Sequence, residues 1–228
     1  MKLNNYHFLI TIPRIGLIAF VLLNLFAMFL YSGGILNDPT TPSYLFLYNF
    51  LSDLGRLYSH SGNINFHSSL FFNLSLIIAG IVFIIFYFSL LNIFNNNKKI
   101  NLLSKAGSAF GILGGFCLIG VALTPSDLYL DLHKIFANWL FRLLFICSIM
   151  YSLVLRYDNK FSIRYSIGYI IFSISIGLYV LVSELGPNPN FSHSALLFQV
   201  VSQKIILFIF IGTVYTQTVG IENIKIES

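Results

Sequence analysis

Apolar runs alternate with short polar breaks along the whole chain. The runs predict six spans, Thr11–Ser32, His67–Phe94, Leu103–Thr124, His133–Leu155, Tyr165–Leu185 and Ala195–Val219. Each is close to the ~20 residues a helix needs to cross a hydrocarbon core about 30 Å thick. The breaks are Asn95-Asn96-Asn97-Lys98-Lys99, then Pro125 with Asp127 and Asp131, then Arg156 with Asp158 and Lys160, then Gly186 with Pro187 and Pro189. One connection is long, Gly33 to Phe66. Inside it, Tyr44 to Leu51 reads as a short amphipathic helix lying on or dipping into the membrane interface. The alternative is a re-entrant piece packed among the helices. The expected fold is all-α and integral to the membrane: one six-helix bundle, a single domain over residues 1–228. The first span is too long for the ~7–15-residue core of a cleaved signal peptide, and no small-x-small site follows it.

Composition agrees with this pattern. The 228 residues are 57% hydrophobic and 9% charged, with a mean hydropathy of +0.82. Soluble domains carry about 25% charged residues, so a water-soluble fold could not cover its surface with this sequence. The net charge of +5 is spread thinly. It forms no basic stripe with interleaved aromatics, and no nucleic-acid partner is implied.

The placement of positive charge orients the chain. Lys2, Arg14, Lys98, Lys99, Lys105, Arg156, Lys160, Arg164 and Lys225 fall on one side, Arg56 and Lys134 on the other. That asymmetry predicts cytoplasmic N- and C-termini and an outward-facing Gly33–Phe66 loop, in a multi-pass protein of the cell membrane.

Span three carries Gly107, Gly111 and Gly115 at four-residue spacing, beside Ser104 and Ser108. Such a small-residue face lets another helix approach closely. It predicts a central packing helix, with homodimerisation as the alternative. Cys117 and Cys147 fall at depths differing by roughly 10 Å at ~1.5 Å per residue, too far apart for a disulfide.

The polar residues gather at the outer ends of the spans: Asp53, His60, His67, Thr124, Asp127, Asp131, His133, Glu184 and His193. Of the histidines, His7 alone lies on the cytoplasmic side. A metal reading would take His60, His67, His133 and His193 as zinc ligands with Asp53 or Asp127. A metal-bound water would then attack a lipid amide or ester. No two histidines have the four-residue spacing of a helical pair, so the expected cofactor is none, with zinc as the alternative.

Arg142 and Lys204 make the sharper demand. Each lies nine residues from the outer end of its predicted span, roughly 13 Å deep. A charge there costs about 2.5–3.5 kcal/mol on insertion scales and calls for a partner. No acid is predicted at that depth. Two buried cations predict an anionic lipid or amphiphile in an outward-opening pocket, with His133, Asp127 and Asp53 shaping its mouth. The structural alternative is hydrogen bonding to Asn138, Gln199, Gln203 or helix-end carbonyls, with snorkelling toward Glu184 or Asp127. No Gly-x-Ser-x-Gly elbow and no phosphate-cradling glycine loop is present, and Ser52 beside Asp53 reads as a cap. A role as a non-catalytic subunit of a larger membrane complex is the further alternative.

These motifs carry a resemblance. Leu51-Ser52-Asp53-Leu54-Gly55 precedes a span holding Asn73 and Gly80; a glycine-rich span then ends Gly120-x-x-x-Thr124-Pro125-x-Asp127, and His133 opens the next. The pattern resembles a family of prokaryotic six-span proteins catalogued as a domain of unknown function, family 998. That family is distantly similar to eukaryotic six-span proteins that modulate autophagy, remodel glycosyl-phosphatidylinositol lipids or regulate phosphoinositide signalling. The resemblance implies six helices and a lipid-related setting, not a reaction. A weaker likeness is to membrane-embedded zinc amidases of the ceramidase type. Those have seven spans and a His-x-x-x-His pair, which this chain lacks.

Overall fold

A computed structural model describes residues 6–91, 93–94 and 97–227, with the side chains of 224–227 excepted. Lys2, Asn95, Asn96 and the Lys225 side chain, used above to place charge and loops, lie outside the described residues.

Six helices are long and apolar enough to cross a membrane. They are α1 (Ile12–Phe29, entered through a π-helical turn, His7–Thr11), α2 (Phe66–Leu90), α3 (Lys98–Leu123), α4 (Leu130–Tyr157), α5 (Ile163–Leu185) and α6 (His193–Glu227). Their boundaries follow local chemistry. Pro13 follows the π-helical turn at the start of α1, where its fixed φ suits the helix. Asn97 caps α3 by accepting from Lys99 N at 2.9 Å. Thr124 ends α3, its hydroxyl donating back to the Gly120 carbonyl at 2.7 Å.

Each helix packs on its sequence neighbours, and α6 returns to α1, closing a ring. The termini share one end of this ring, the terminal end. Arg14 there donates to Glu222 at 2.6 Å and to Thr218 at 2.9 Å. The other end, the loop end, carries residues 30–65, 124–129 and 186–192.

The glycine face is filled within the chain. Methyls added at Gly80 and Gly115 would stand 2.6 and 2.8 Å from each other's carbonyl oxygens, so α2 and α3 meet backbone to backbone. Gly111 lies against the Tyr87 ring and Gly107 against the Tyr151 ring, whose hydroxyl is 2.6 Å from Ser108 Oγ. Gly107, Gly111 and Gly115 are thus each met by a neighbour from the same chain. Span three has the largest buried share of the six, 50%, and packs closely between α2 and α4, as expected of a central packing helix. Cys117 and Cys147 are both free thiols.

The stretch 44–50 is not a helix. It forms a turn, followed by a short 3-10 helix, Leu51–Gly55. The reason is Asn49, which is fully buried. Its side chain accepts from Leu45 N at 2.9 Å and donates to the Gly34 carbonyl at 2.9 Å. These bonds give the local backbone partners that a helix would otherwise supply. The segment keeps its two-sided character: Phe46 and Leu47 are exposed, while Leu51 and Leu54 join the main core. Of the two readings, packing into the top of the bundle describes it better.

Candidate functional site

The ring encloses a cavity of about 210 Å³. This exceeds the ~150 Å³ at which an apolar protein cavity already binds benzene. All six helices and the 3-10 helix contribute to it. Its lower wall is apolar, built from Gly16 and Phe20 on α1, Leu76 and Phe83 on α2, Leu144 on α4, and Phe210 and Val214 on α6. The polar groups sit at its upper end: Ser52, His133, Asn138, Tyr179, Ser183 and Gln203. Among the described residues, no charged side chain lines it. Below, a chamber of about 20 Å³ shares Pro13, Val82, Phe83, Phe172, Phe210 and Val214 with it and reaches Thr213 and Gln217. The space is therefore elongated along the bundle axis, with its main polar group at the upper end, an apolar middle, and Thr213 and Gln217 at the foot.

The upper polar groups are fixed by the fold. Gln203 accepts from Leu51 N at 2.8 Å, which pins the 3-10 helix, and its amide lies beside the Tyr179 hydroxyl. His133 is 7% exposed, and its Nδ1 lies 2.7 Å from the Thr124 carbonyl. A carbonyl only accepts, so Nδ1 carries the hydrogen, and Nε2 of the neutral ring is an acceptor. The six groups together offer hydroxyls, an imidazole and amides. They suit an ester, amide or hydroxyl rather than a bare charge.

Asp53 and Asp127 shape the loop end without lining the cavity. Asp53 is 5% exposed; its Oδ2 accepts from Phe50 N at 2.8 Å and Asn49 Nδ2 at 3.2 Å, and its Oδ1 lies 3.0 Å from His60 Nε2. Asp127 accepts from Leu57 N at 3.1 Å and Tyr58 N at 2.8 Å, stapling the α3–α4 turn to the long loop.

The two cations do not meet. Lys204 is 3% exposed, and its ammonium donates to the Tyr44 hydroxyl at 2.5 Å and the Asn49 carbonyl at 3.2 Å. It holds the loop segment to α6. Arg142 does not line the cavity and pairs with Glu184, both side chains 41% exposed. Its guanidinium also lies 5.8 Å from the centre of the Trp139 ring. Arg142 thus has an acid partner after all: Glu184, near the end of α5, is within reach of a long side chain on the antiparallel α4.

The histidines proposed as zinc ligands go separate ways. His60 turns to Asp53 and His133 to Thr124, while the rings of His67 and His193 pack edge-on against Phe66 and Tyr48. Among the described residues, no three His, Cys, Asp or Glu side chains converge to hold one metal ion. The hydrolase reading loses the common centre it requires.

The sequence reading passed over Ser183 and Tyr179 as lining residues. Tyr179 and Ser183 lie four apart on α5, as Asn138 and Arg142 do on α4. A polar pair at that spacing within an apolar run is the signal that was available.

Comparisons with curated proteins and with solved structures return no match. A family described as Protein of unknown function (DUF998) matches residues 25–213, from the end of α1 into α6, and so covers the cavity wall built by α2 to α5 and most of that built by α6. The chain belongs to that family, as a multi-pass membrane protein with six candidate spans.

Proposed function

We propose that this protein binds a lipid or similar amphiphile, its tail in the cavity between the six helices. The carrying observation is the division of that cavity: a long apolar wall below, and Ser52, His133, Asn138, Tyr179, Ser183 and Gln203 above. An acyl chain is apolar along its length and ends in ester, amide or hydroxyl oxygens, the same order of chemistry along the same axis. Asp53, Asp127 and Lys204 hold the loop that closes the top. Arg142 stands beside the cavity, so the tail site itself takes a neutral linkage rather than an anion. The basic residues of the terminal end favour a cytoplasmic placement of that end, which puts the polar end of the cavity toward the outer leaflet.

The test fills the cavity without touching the surface. Ala79→Phe and Ala137→Phe each place a ring into the space. Native mass spectrometry of the purified protein should find co-purifying lipid on the wild type and little on either variant, with melting temperatures retained. Equal lipid on all three proteins would remove the reading.

A further inference from the structure

The cavity wall is almost entirely buried or half-buried. Two of its residues are exposed, Asn138 on α4 and Ser183 on α5. Their exposure points to the place where the cavity reaches the protein surface, in the seam between α4 and α5. Further down, this seam is shut: the Phe141 and Tyr179 rings meet at 4.6 Å, and Ser173 donates to Ser148 at 2.8 Å. One helical turn from Asn138 is Arg142, and next to Ser183 is Glu184. The one ion pair joining α4 to α5 among the described residues therefore flanks the opening, with the Trp139 ring on the guanidinium.

We propose that lipid reaches the cavity sideways through this gap. Its headgroup is a zwitterion carrying a phosphate and an N–H-bearing ammonium, held by Arg142 and Glu184. This rests on the tail-binding reading above. The charge balance selects the class. An anionic head could take Arg142 but would leave Glu184 without its cation and facing a like charge. A cationic head would do the reverse. A zwitterion exchanges with the existing pair one for one, phosphate to guanidinium and ammonium to carboxylate, with no charge left over. A quaternary ammonium has no N–H to give Glu184, and the Trp139 face is already taken by the guanidinium, so a primary ammonium fits better.

The full chain, delipidated in detergent, is offered an equimolar mixture of phosphatidylethanolamine, phosphatidylglycerol and phosphatidylcholine with identical acyl chains. Native mass spectrometry reads the retained classes. The wild type should enrich phosphatidylethanolamine over phosphatidylglycerol by about 1.4- to fivefold, the range of one partly exposed ion pair. Glu184→Gln should shift the balance toward phosphatidylglycerol. Arg142→Gln with Glu184→Gln should abolish the preference while total lipid is kept. A wild type with no preference, or one favouring phosphatidylglycerol or phosphatidylcholine, overturns the assignment, as do variants that select like the wild type. Ala137→Phe separates the two readings. If it loses all classes while the wild type shows no head preference, only the headgroup assignment falls. If it retains lipid like the wild type, the tail site falls as well. Melting curves confirm that each variant is folded.

Discussion

Lys204 and Tyr44, separated by 160 positions, meet with the ammonium 2.5 Å from the phenol oxygen. The same phenol lies 3.3 Å from the Asn49 and Phe50 carbonyls, and Lys204 Nζ lies 3.2 Å from Asn49 O. One lysine, which looked like an unpaired charge in an apolar span, ties the loop segment to α6. It keeps Leu51 and Ser52 over the cavity.

The first expectation concerns this contact. Lys204→Met and Tyr44→Phe should each destabilise the protein, since hydrogen bonds to charged groups contribute about 1.5–3 kcal/mol. The double variant should cost less than the sum of the two, by about 0.5–3 kcal/mol for residues in direct contact. Unfolding in mixed detergent across the four proteins measures the coupling. Simple additivity would show that the contact does not hold the loop.

Alkaline stability gives a second test at the same place. Burial raises the phenols of Tyr31 and Tyr44 above the usual 10.0, and the nearby Asp53 charge adds to it. Folded phenols thus keep their protons where unfolded ones lose them. Below about pH 10 both states are protonated and stability is unaffected by these groups. Above it, stability falls as pH rises. The unfolding midpoint should drop between roughly pH 10 and 12, and the slope of that drop should be shallower in Tyr44→Phe. An unchanged slope would mean that this phenol does not titrate with unfolding.

The glycines of the bundle should divide into two groups. Gly111→Ala drives a methyl into the Tyr87 ring, and overpacking of this kind costs about 1–3 kcal/mol. Gly212, on α6, has nothing within 4 Å of an added Cβ. Gly212→Ala should be neutral or stabilising by up to about 1 kcal/mol, through helix propensity alone. Melting temperatures of the two variants in the same detergent should move apart. A shift of the same sign in both would mean that the packing at Gly111 gives way.

His133 separates a structural role from a binding one. Asn places an amide N–H near where Nδ1 now donates to Thr124 O, and supplies nothing at the Nε2 position. His133→Asn should therefore melt near the wild type, whereas His133→Ala should lose the bond and about 1 kcal/mol. Lipid retention should fall in both. Full retention in His133→Asn would exclude Nε2 from the binding site.

The sequence by itself determined the spans, the polar breaks and the arrangement of both termini at one end, because hydropathy over ~20 residues is a local property and an even number of crossings returns the chain. The motifs from Leu51 to His133 also sufficed to place it in its family. What the tertiary structure decided was partnership. Gly107, Gly111 and Gly115 announced close packing, yet whether Tyr87, Tyr151 and Gly80 or a second copy would meet them depends on which helices are neighbours. Arg142 and Lys204 looked alike in depth and surroundings, but α4 faces Glu184 on α5, while α6 faces the folded loop at Tyr44 and Asn49. The side chains that define the cavity are drawn from every helix and share no local signature. Only the closure of α6 onto α1 turns six separate apolar faces into one shared space, because side-chain direction is local but the cavity is a property of the whole ring.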